Sequence, residues 1–167
     1  MHHVISVTVE NKPGVLARVS SMFARRDFNI HSLTVGPTED PSRSRMTVVV
    51  DGPEIEQIKK QLYKLVHTLK VTEHNPGEAI EREIMLVRVN ADADRRAEIL
   101  EAANIFEAKA VDVGATTITF EIVGEPARIA DFFEIMKAYG ITSLVKSGRI
   151  AMAKDAKSNA RKQKRTT

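Results

Sequence analysis

One stretch of the chain decides how its N-terminal half folds, residues 4–35: V-I-S-V-T-V-E-N-K-P-G-V-L-A-R-V-S-S-M-F-A-R-R-D-F-N-I-H-S-L-T-V. Apolar and polar residues alternate over residues 4–10, which predicts a half-buried strand. Apolar residues then recur at helical spacing over residues 15–23, and a second strand begins at residues 29–30. Gly14 stands at the predicted helix start, where unpaired backbone N–H groups and the helix dipole can hold a small carboxylate. We therefore expect a binding site for a small anion or zwitterion at this turn.

The same order of elements occurs twice along the chain. Strand, helix, strand, strand, helix and strand follow one another over residues 1–76, and again over residues 77–153. This order predicts an α+β fold with two ferredoxin-like βαββαβ domains in tandem. Domains of ~75 residues have small cores, and a four-stranded sheet with helices on one side leaves its other face open. We therefore expect a homodimer at least.

The helical pattern is strongest in residues 55–69, where apolar residues are spaced by three and four positions. It predicts one helix that continues to Leu69. Residues 36–44 are polar and contain two prolines, which predicts a loop. In the second half, residues 92–108 are predicted to be helical, and residues 141–152 to form one or two strands around a Ser-Gly turn.

Composition excludes several classes of protein. The 167 residues are 43% hydrophobic, enough for folded cores, and the absence of cysteine rules out disulfides and thiol nucleophiles. No apolar run approaches the ~20 residues that span a membrane, and no signal-peptide pattern is present, so we expect a cytoplasmic protein without a membrane partner. Residues 154–167 carry six basic residues and one acid, a net charge of +5 that leaves −2 for the rest of the +3 chain. We expect this basic tail to be disordered and the folded part not to bind nucleic acid.

Residue types that catalyse reactions or bind metals do not form a recognisable group in the sequence. The five histidines are scattered, and the adjacent His2 and His3 point to opposite faces of a strand, so no metal site is expected. There is no Ser-His-Asp pattern, no paired-carboxylate pattern and no glycine-rich phosphate loop. No catalytic residue is therefore predicted.

Five segments carry a resemblance to a known family. They span both halves in order: N-K-P-G-V-L at 11–16, F-N-I-H-S-L-T-V-G-P-T-E-D-P at 28–41, S-R-M-T at 44–47, Q-L-Y-K-L-V at 61–66 and E-R-E-I-M-L-V at 81–87. The N-terminal half resembles an ACT domain, a small regulatory module that binds amino acids. Residues 1–153 as a whole resemble the regulatory (small) subunit of acetolactate synthase, also called acetohydroxyacid synthase.

The resemblance implies a regulatory role. In that family the small subunit performs no chemistry itself; it raises the activity of a larger catalytic subunit and transmits feedback inhibition by a branched-chain amino acid, usually valine. By the same resemblance, thiamine diphosphate, Mg²⁺ and FAD belong to the catalytic subunit, and this chain binds no cofactor. The effector is expected between the ACT domains of two chains.

The resemblance also indicates which residues bind the effector. The turn at residues 11–16 of one chain would face Asn29 and Ile30 of the other, and the expected binding residues are Asn11, Gly14, Val15, Leu16, Asn29 and Ile30. Backbone N–H groups of the turn suit the effector carboxylate, and the two asparagine side-chain oxygens suit its ammonium group. The three aliphatic side chains suit its hydrocarbon part.

These residues and the function as a whole also have other interpretations. Asn11 can cap the helix, Gly14 can simply fit the turn, Asn29 can be a turn residue, and the aliphatic residues can belong to the core. A stand-alone ACT-domain sensor or transcriptional regulator would share the N-terminal motif, but it needs a DNA-binding element, and no helix-turn-helix is visible. An RNA-binding ferredoxin-like domain would need aromatic residues on its central strands, where Phe120 stands alone.

Overall fold

The computed structural model describes residues 2–26, 28–52 and 55–155. The predicted basic tail falls almost wholly outside these residues, so its disorder stays a prediction. Within the described ranges, no helix combines the length and the apolar character needed to cross a membrane.

Two compact units divide the chain. The first contains the residues up to Ile80 and those from Arg149 onward, and the second contains Glu81–Gly148. Residues 77–80 and 149–153 therefore group with the first unit, whereas the sequence analysis assigned them to the second domain. The domain limits stated there stay a prediction.

The first unit has a four-stranded antiparallel sheet with the strand order β2-β3-β1-β4. Its elements follow the predicted order βαββαβ. They are β1 (His2–Glu10), α1 (Val15–Ala24), β2 (Ile30–Pro37), β3 (Arg43–Asp51), α2 (Ile55–Tyr63) and β4 (Thr68–His74).

The core of the first unit lies on the sheet face that the helices cover. Ile5, Val7 and Val9 alternate along β1 and are at most 1% exposed. Both helices add their apolar sides, so that the core also contains Val15, Val19, Met22, Phe23, Ile58 and Leu62. Each fully buried large apolar side chain stabilises the fold by roughly 1.5–3 kcal/mol relative to leaving it exposed. Because Val15 belongs to this core, the first turn of α1 is anchored and the turn before it is held in place.

The second unit repeats the topology with the strand order β6-β7-β5-β8. A short additional strand, β9, pairs with β5. The elements are β5 (Ala79–Asn90), α3 (Arg96–Ile105), β6 (Lys109–Val113), β7 (Thr117–Gly124), α4 (Pro126–Lys137) and β8 (Ile141–Lys146), while β9 (Ile150–Ala153) lies in the residues that group with the first unit. The prediction of two ferredoxin-like βαββαβ folds in tandem is confirmed.

The helix predicted over residues 55–69 is shorter than its apolar spacing indicates. α2 ends at Tyr63, and the N–H groups of Lys64 and Leu65 bond to carbonyls three residues earlier, which tightens the chain into a turn. Leu65 still packs against the core, but Leu69 lies on β4 and is 44% exposed. The prediction of a helix through Leu69 is wrong, because apolar spacing does not show where a helix gives way to a turn.

Two other boundaries also differ from the predictions. α3 covers ten residues rather than the whole of residues 92–108. The loop predicted over residues 36–44 is shorter, because β2 continues to Pro37 and β3 already begins at Arg43. Asp40 stabilises the tight turn that remains, since its carboxylate accepts hydrogen bonds from the backbone N–H and the hydroxyl of Ser42 at 2.9 and 2.6 Å.

Candidate functional site

The turn between β1 and α1 leaves backbone donors unused. Gly14 adopts a left-handed conformation with φ of 83° directly before the helix, and no side chain caps this helix start. The N–H of Val15 bonds to the carbonyl of Lys12 at 3.4 Å, and that of Arg18 to the carbonyl of Gly14 at 3.1 Å. The N–H groups of Gly14, Leu16 and Ala17 have no acceptor among the described residues. These are the donors that a carboxylate at a helix N-terminus uses.

Space around Gly14 is open. Apart from Gly14 itself and its two chain neighbours, no described residue has a heavy atom within 4 Å of a Cβ atom built at this position. A ligand can therefore approach the backbone here, and the positive φ explains why the position holds a glycine.

Asn11 supports the turn but does not cap the helix. Its backbone N–H donates to the carbonyl of Ser42 at 2.7 Å, and its side-chain Nδ2 donates to the carbonyl of Pro41 at 3.1 Å. These two bonds tie the turn to the β2–β3 connection. The side-chain bond uses the Nδ2 donor of the amide and leaves the amide oxygen as an acceptor. The sequence analysis expected that oxygen to accept from the ammonium group of the effector.

The charge of Lys12, next to the turn, is already paired. Its Nζ lies 2.6 Å from a carboxylate oxygen of Glu10, and Nδ1 of His67 lies 3.0 Å from the same oxygen. The hydrogen bonds from Lys12 and then His67 lower the pKa of Glu10 below its ordinary value. Lys12 therefore does not offer an unpaired positive charge at this turn.

The aliphatic residues expected to contact the effector are not equivalent. Val15 is 5% exposed and Ile30 packs against the same core, while Leu16 is 43% exposed. Of the three, Leu16 presents a substantial apolar surface beside the open donors. The alternative interpretation as core residues is thus correct for Val15, and a contact of Val15 or Ile30 with an effector stays a prediction.

Asn29 lies at the other end of α1 from Gly14. The helix begins after Gly14 and has ten residues, so its axis spans about 15 Å. Asn29 is exposed, and its carbonyl accepts a hydrogen bond from the N–H of Asp51 at 3.3 Å. The two expected halves of the effector site are therefore separated within one chain.

The structure also brings together residues that the sequence analysis regarded as scattered. His31 follows Asn29 closely, and its Nε2 is hydrogen-bonded to the carboxylate of Asp51, whose other oxygen lies 2.8 Å from Nδ1 of His2. The hydrogen bond from His31 is the main cause that lowers the pKa of Asp51. The sequence analysis missed this group because its three residues are far apart along the chain. They can be found only from the pairing register of β1, β2 and β3.

Comparisons with known proteins cover both halves of the chain. The family described as "AHAS small subunit-like ACT domain" matches residues 5–70, and the family "Small subunit of acetolactate synthase" matches residues 82–155.

Individual relatives match over almost their whole length. A probable acetolactate synthase small subunit of Archaeoglobus fulgidus is 48% identical over 94% of this chain and 99% of its own. The acetolactate synthase small subunit of Mycolicibacterium smegmatis is 46% identical over 91% of each chain. The crystal structure of the acetolactate synthase small subunit from Thermotoga maritima superposes with a TM-score of 0.84 at 38% identity, covering 93% of this chain and 98% of that one.

Proposed function

The chain belongs to the acetolactate synthase small-subunit family, and from this we propose that it activates the catalytic subunit and transmits feedback inhibition by a branched-chain amino acid. The resemblance stated from the sequence is confirmed. Membership makes the chain a regulatory, non-catalytic subunit of the enzyme with a catalytic subunit as its partner.

One observation carries the proposal of an effector site at the β1–α1 turn. Three backbone N–H groups, those of Gly14, Leu16 and Ala17, lack an acceptor in the described part of the chain and surround an open space. A carboxylate supplies the missing acceptor and gains from the helix dipole. The exposed side chain of Leu16 beside these donors suits the isopropyl group of valine, which is the effector we propose.

We also propose that the complete site needs two chains. Gly14 and Asn29 stand at opposite ends of α1, about 15 Å apart along its axis, and one valine molecule is too short to contact both. A homodimer in which the β1–α1 turn of one chain meets Asn29 of its partner removes this difficulty. The ammonium group of the effector would then be held by the side-chain oxygens of Asn11 and Asn29.

The proposal includes where the chemistry takes place. Thiamine diphosphate, Mg²⁺ and FAD are assigned to the catalytic subunit, and the complex is assigned to the cytoplasm. The contribution of this chain is a difference in effector affinity between two states of the complex, and couplings of this kind are typically about 1–3 kcal/mol.

The competing function is that of a stand-alone amino-acid sensor or transcriptional regulator. It would use the same turn and the same effector but would need no catalytic subunit. The relatives named above match both units over almost their full length, which favours the subunit role over the sensor role.

The experiment is acetolactate formation by the catalytic subunit with and without this chain, measured against rising valine concentration. We expect higher activity with the chain present and inhibition by valine only in its presence. The purified chain alone should form no acetolactate. Unchanged activity after addition of the chain would contradict the proposed subunit role.

A mixing experiment tests the two-chain site. Gly14→Asp puts a negative charge where the effector carboxylate binds, and Asn29→Ala removes an ammonium acceptor, so each variant alone should lose valine inhibition while keeping activation. Random pairing of the two variants makes about half of the dimers hybrids, and each hybrid has one site free of both changes. Inhibition should therefore partly return in the mixture. If both variants alone are insensitive and their mixture stays insensitive, the two halves do not come from different chains.

A matched control separates charge from backbone strain. Gly14→Ala has the same unfavourable positive φ as Gly14→Asp but adds no charge. We expect it to keep more valine sensitivity than Gly14→Asp. Equal loss in both variants would mean that the turn conformation, and not the carboxylate position, explains the result.

A further inference from the structure

Three side chains on neighbouring strands meet at one end of the first unit's sheet. His2 on β1 is the register partner of Asp51 on β3, and its Nδ1 lies 2.8 Å from a carboxylate oxygen of that residue. His31 on β2 contacts the second oxygen of the same carboxylate through Nε2. One nitrogen of each ring and one carboxylate oxygen all lie within 4.8 Å of one another.

A β-bulge puts His31 into this group. Ile30 pairs with Val50 and Ser32 pairs with Val49, so that His31 is the additional residue on β2 and has no partner of its own on β3. Ile30 packs against the core, and His31 is turned away from the core towards Asp51. Bulges of this kind re-aim one side chain and are frequent near functional sites.

The two histidine rings each contact one oxygen of the Asp51 carboxylate and lie edge to face against each other. Their centroids are 4.3 Å apart and the ring planes are nearly perpendicular, at 84°. The two rings therefore approach Asp51 from different directions rather than stacking on one side of it.

The chemistry of these three groups selects a class of ligand. Two imidazole nitrogens and one carboxylate oxygen are the protein ligands of many zinc sites, where water fills the remaining position. At Zn–ligand distances of about 2.0–2.1 Å, tetrahedral geometry separates the ligand atoms by roughly 3.3 Å. This value lies between the 2.8 Å from Nδ1 of His2 to the Asp51 carboxylate and the 4.8 Å within which all three ligand atoms lie. Mg²⁺ and Ca²⁺ prefer oxygen ligands throughout and do not fit as well.

We propose that His2, Asp51 and His31 form a binding site for a divalent transition-metal ion, with Zn²⁺ as the best match. Small side-chain rotations bring the three ligand atoms to equal distances from the ion. The ion then takes the place of the hydrogen-bonding protons that now lie between each ring and the carboxylate. The side chains are 38–56% exposed, so water completes the coordination. Bound metal joins β1, β2 and β3 at one end of the sheet.

The proposed metal site does not depend on effector binding, but one of its ligands, Asp51, is hydrogen-bonded to Asn29 of the proposed effector site. The N–H of Asp51 bonds to the carbonyl of Asn29, so the ion would steady the start of β2, where half of the proposed effector site lies. A metal effect on valine inhibition is a secondary readout, and metal binding itself is the primary one.

The experiment uses the full chain without an affinity tag, treated with a chelator and then titrated with Zn²⁺ by calorimetry. We expect one ion per chain, and a rise in Tm of about 5–11 °C when free Zn²⁺ reaches a hundredfold excess over Kd. Co²⁺ should give a visible absorption spectrum of a nitrogen- and oxygen-ligated site, and Mg²⁺ at the same concentration should give no shift. Absence of Zn²⁺ binding, or an equal response to Mg²⁺, would overturn the proposal.

Variants locate the ion. His2→Asn, His31→Gln and Asp51→Asn should each weaken Zn²⁺ binding more than about tenfold, since even the loss of a residue that only orients a ligand costs 10–100-fold. His3→Asn is the matched control, because His3 neighbours His2 but contacts Glu73, with its Nδ1 3.3 Å from a carboxylate oxygen of that residue. Circular dichroism before titration confirms that each exposed substitution leaves the fold intact. Equal weakening by His3→Asn, or full binding by all three site variants, would show that the ion is held elsewhere.

Discussion

The two units have the same topology but differ in the side-chain bonding of the turn that follows their first strand. In the first unit, Gly14 opens α1 and three backbone N–H groups have no acceptor among the described residues. In the second unit, α3 begins at Arg96, and the guanidinium group of that residue donates to the carbonyls of Ala91, Gly114 and Ala115 at 3.1, 2.8 and 2.7 Å.

This difference lies in the side chains of the two turns and not in their backbone donors. The first turn exposes backbone donors and has no side chain that fills the space. In the second turn the Arg96 side chain bonds to carbonyl oxygens, and the backbone N–H groups of Arg96, Ala97 and Glu98 likewise have no acceptor among the described residues. The strand order gives no reason to distinguish the two turns, and the choice of the first for the proposed effector site rests on the left-handed glycine and the open space beside it.

The largest expected effect tests whether the two cores are equivalent, as the shared topology requires. Phe23 and Phe132 are at most 1% exposed, one in each unit. Phe23→Ala and Phe132→Ala should each lower the free energy of unfolding of their unit by about 3–5 kcal/mol, because each removes a large ring and leaves a cavity. Val111→Ala is the control at a position that is 53% exposed. Urea denaturation followed by circular dichroism measures the effect. If one of the two phenylalanine variants loses almost no free energy of unfolding, the two cores are not equivalent.

The next effect concerns the turn that precedes α3 in the second unit. Arg96→Ala leaves three carbonyls without their donor, two of these bonds being partly buried, and should destabilise the second unit by about 1–3 kcal/mol. Arg96→Lys should recover part of this loss, because all three bonds come from the single nitrogen Nη2 and an ammonium group also carries its donors on one nitrogen. Valine inhibition should stay as in the wild type. A change in valine sensitivity would mean that the second turn also takes part in regulation.

A pair of glycines tests how open each turn region is. Gly14 and Gly140 both have φ near 80°, so replacement by alanine costs each about 1–2 kcal/mol. At Gly14 the new methyl group meets no atom within 4 Å, whereas at Gly140 it lies 2.8 Å from Nδ2 of Asn90. We expect Gly140→Ala to be the more destabilising of the two in thermal melts. The reverse order would show that the first turn is less open than described.

The smallest effect is electrostatic and belongs to the first turn. Hydrogen bonds from Lys12 and His67 hold the pKa of Glu10 below its ordinary value of 4.5. The stabilisation is therefore complete above pH 4.5 and is lost as the pH falls towards the lowered pKa of the folded state. Glu10→Gln should flatten the acid side of a Tm-against-pH curve slightly, and the exposed Glu101→Gln should not. Parallel curves for Glu10→Gln and the wild type would leave this ion pair without a measurable role.

Much of the fold follows from the sequence because burial sets the period of each element. Alternation at Ile5, Val7 and Val9 predicts β1, and the repeat of the pattern predicts the second unit. The end of α2 could not be predicted in the same way, because Leu65 and Leu69 keep the helical spacing although the chain has already turned. Apolar spacing records which side of an element is buried and does not record where backbone hydrogen bonding changes.

The two candidate sites also differ in whether the sequence could locate them. The sequence locates the turn at Gly14 because a glycine before a helix is a local signal. It does not show that Val15 points into the core, since that depends on how α1 packs against the sheet. The group of His2, His31 and Asp51 depends on strand register and on one bulge, and both are properties of pairing between distant segments.

The path of the chain has a consequence for its synthesis. The last strand belongs with the first unit, where Ala151 packs against Val4 and Val49 in a small cluster. The polypeptide therefore leaves the first unit after residue 80 and supplies its final piece only from residue 149. On the ribosome, Val4 and Val49 remain without this cover until the segment that contains Ala151 has been made. A product terminated early keeps this apolar spot exposed, which gives chaperones and proteases a physical means to distinguish unfinished chains from finished ones.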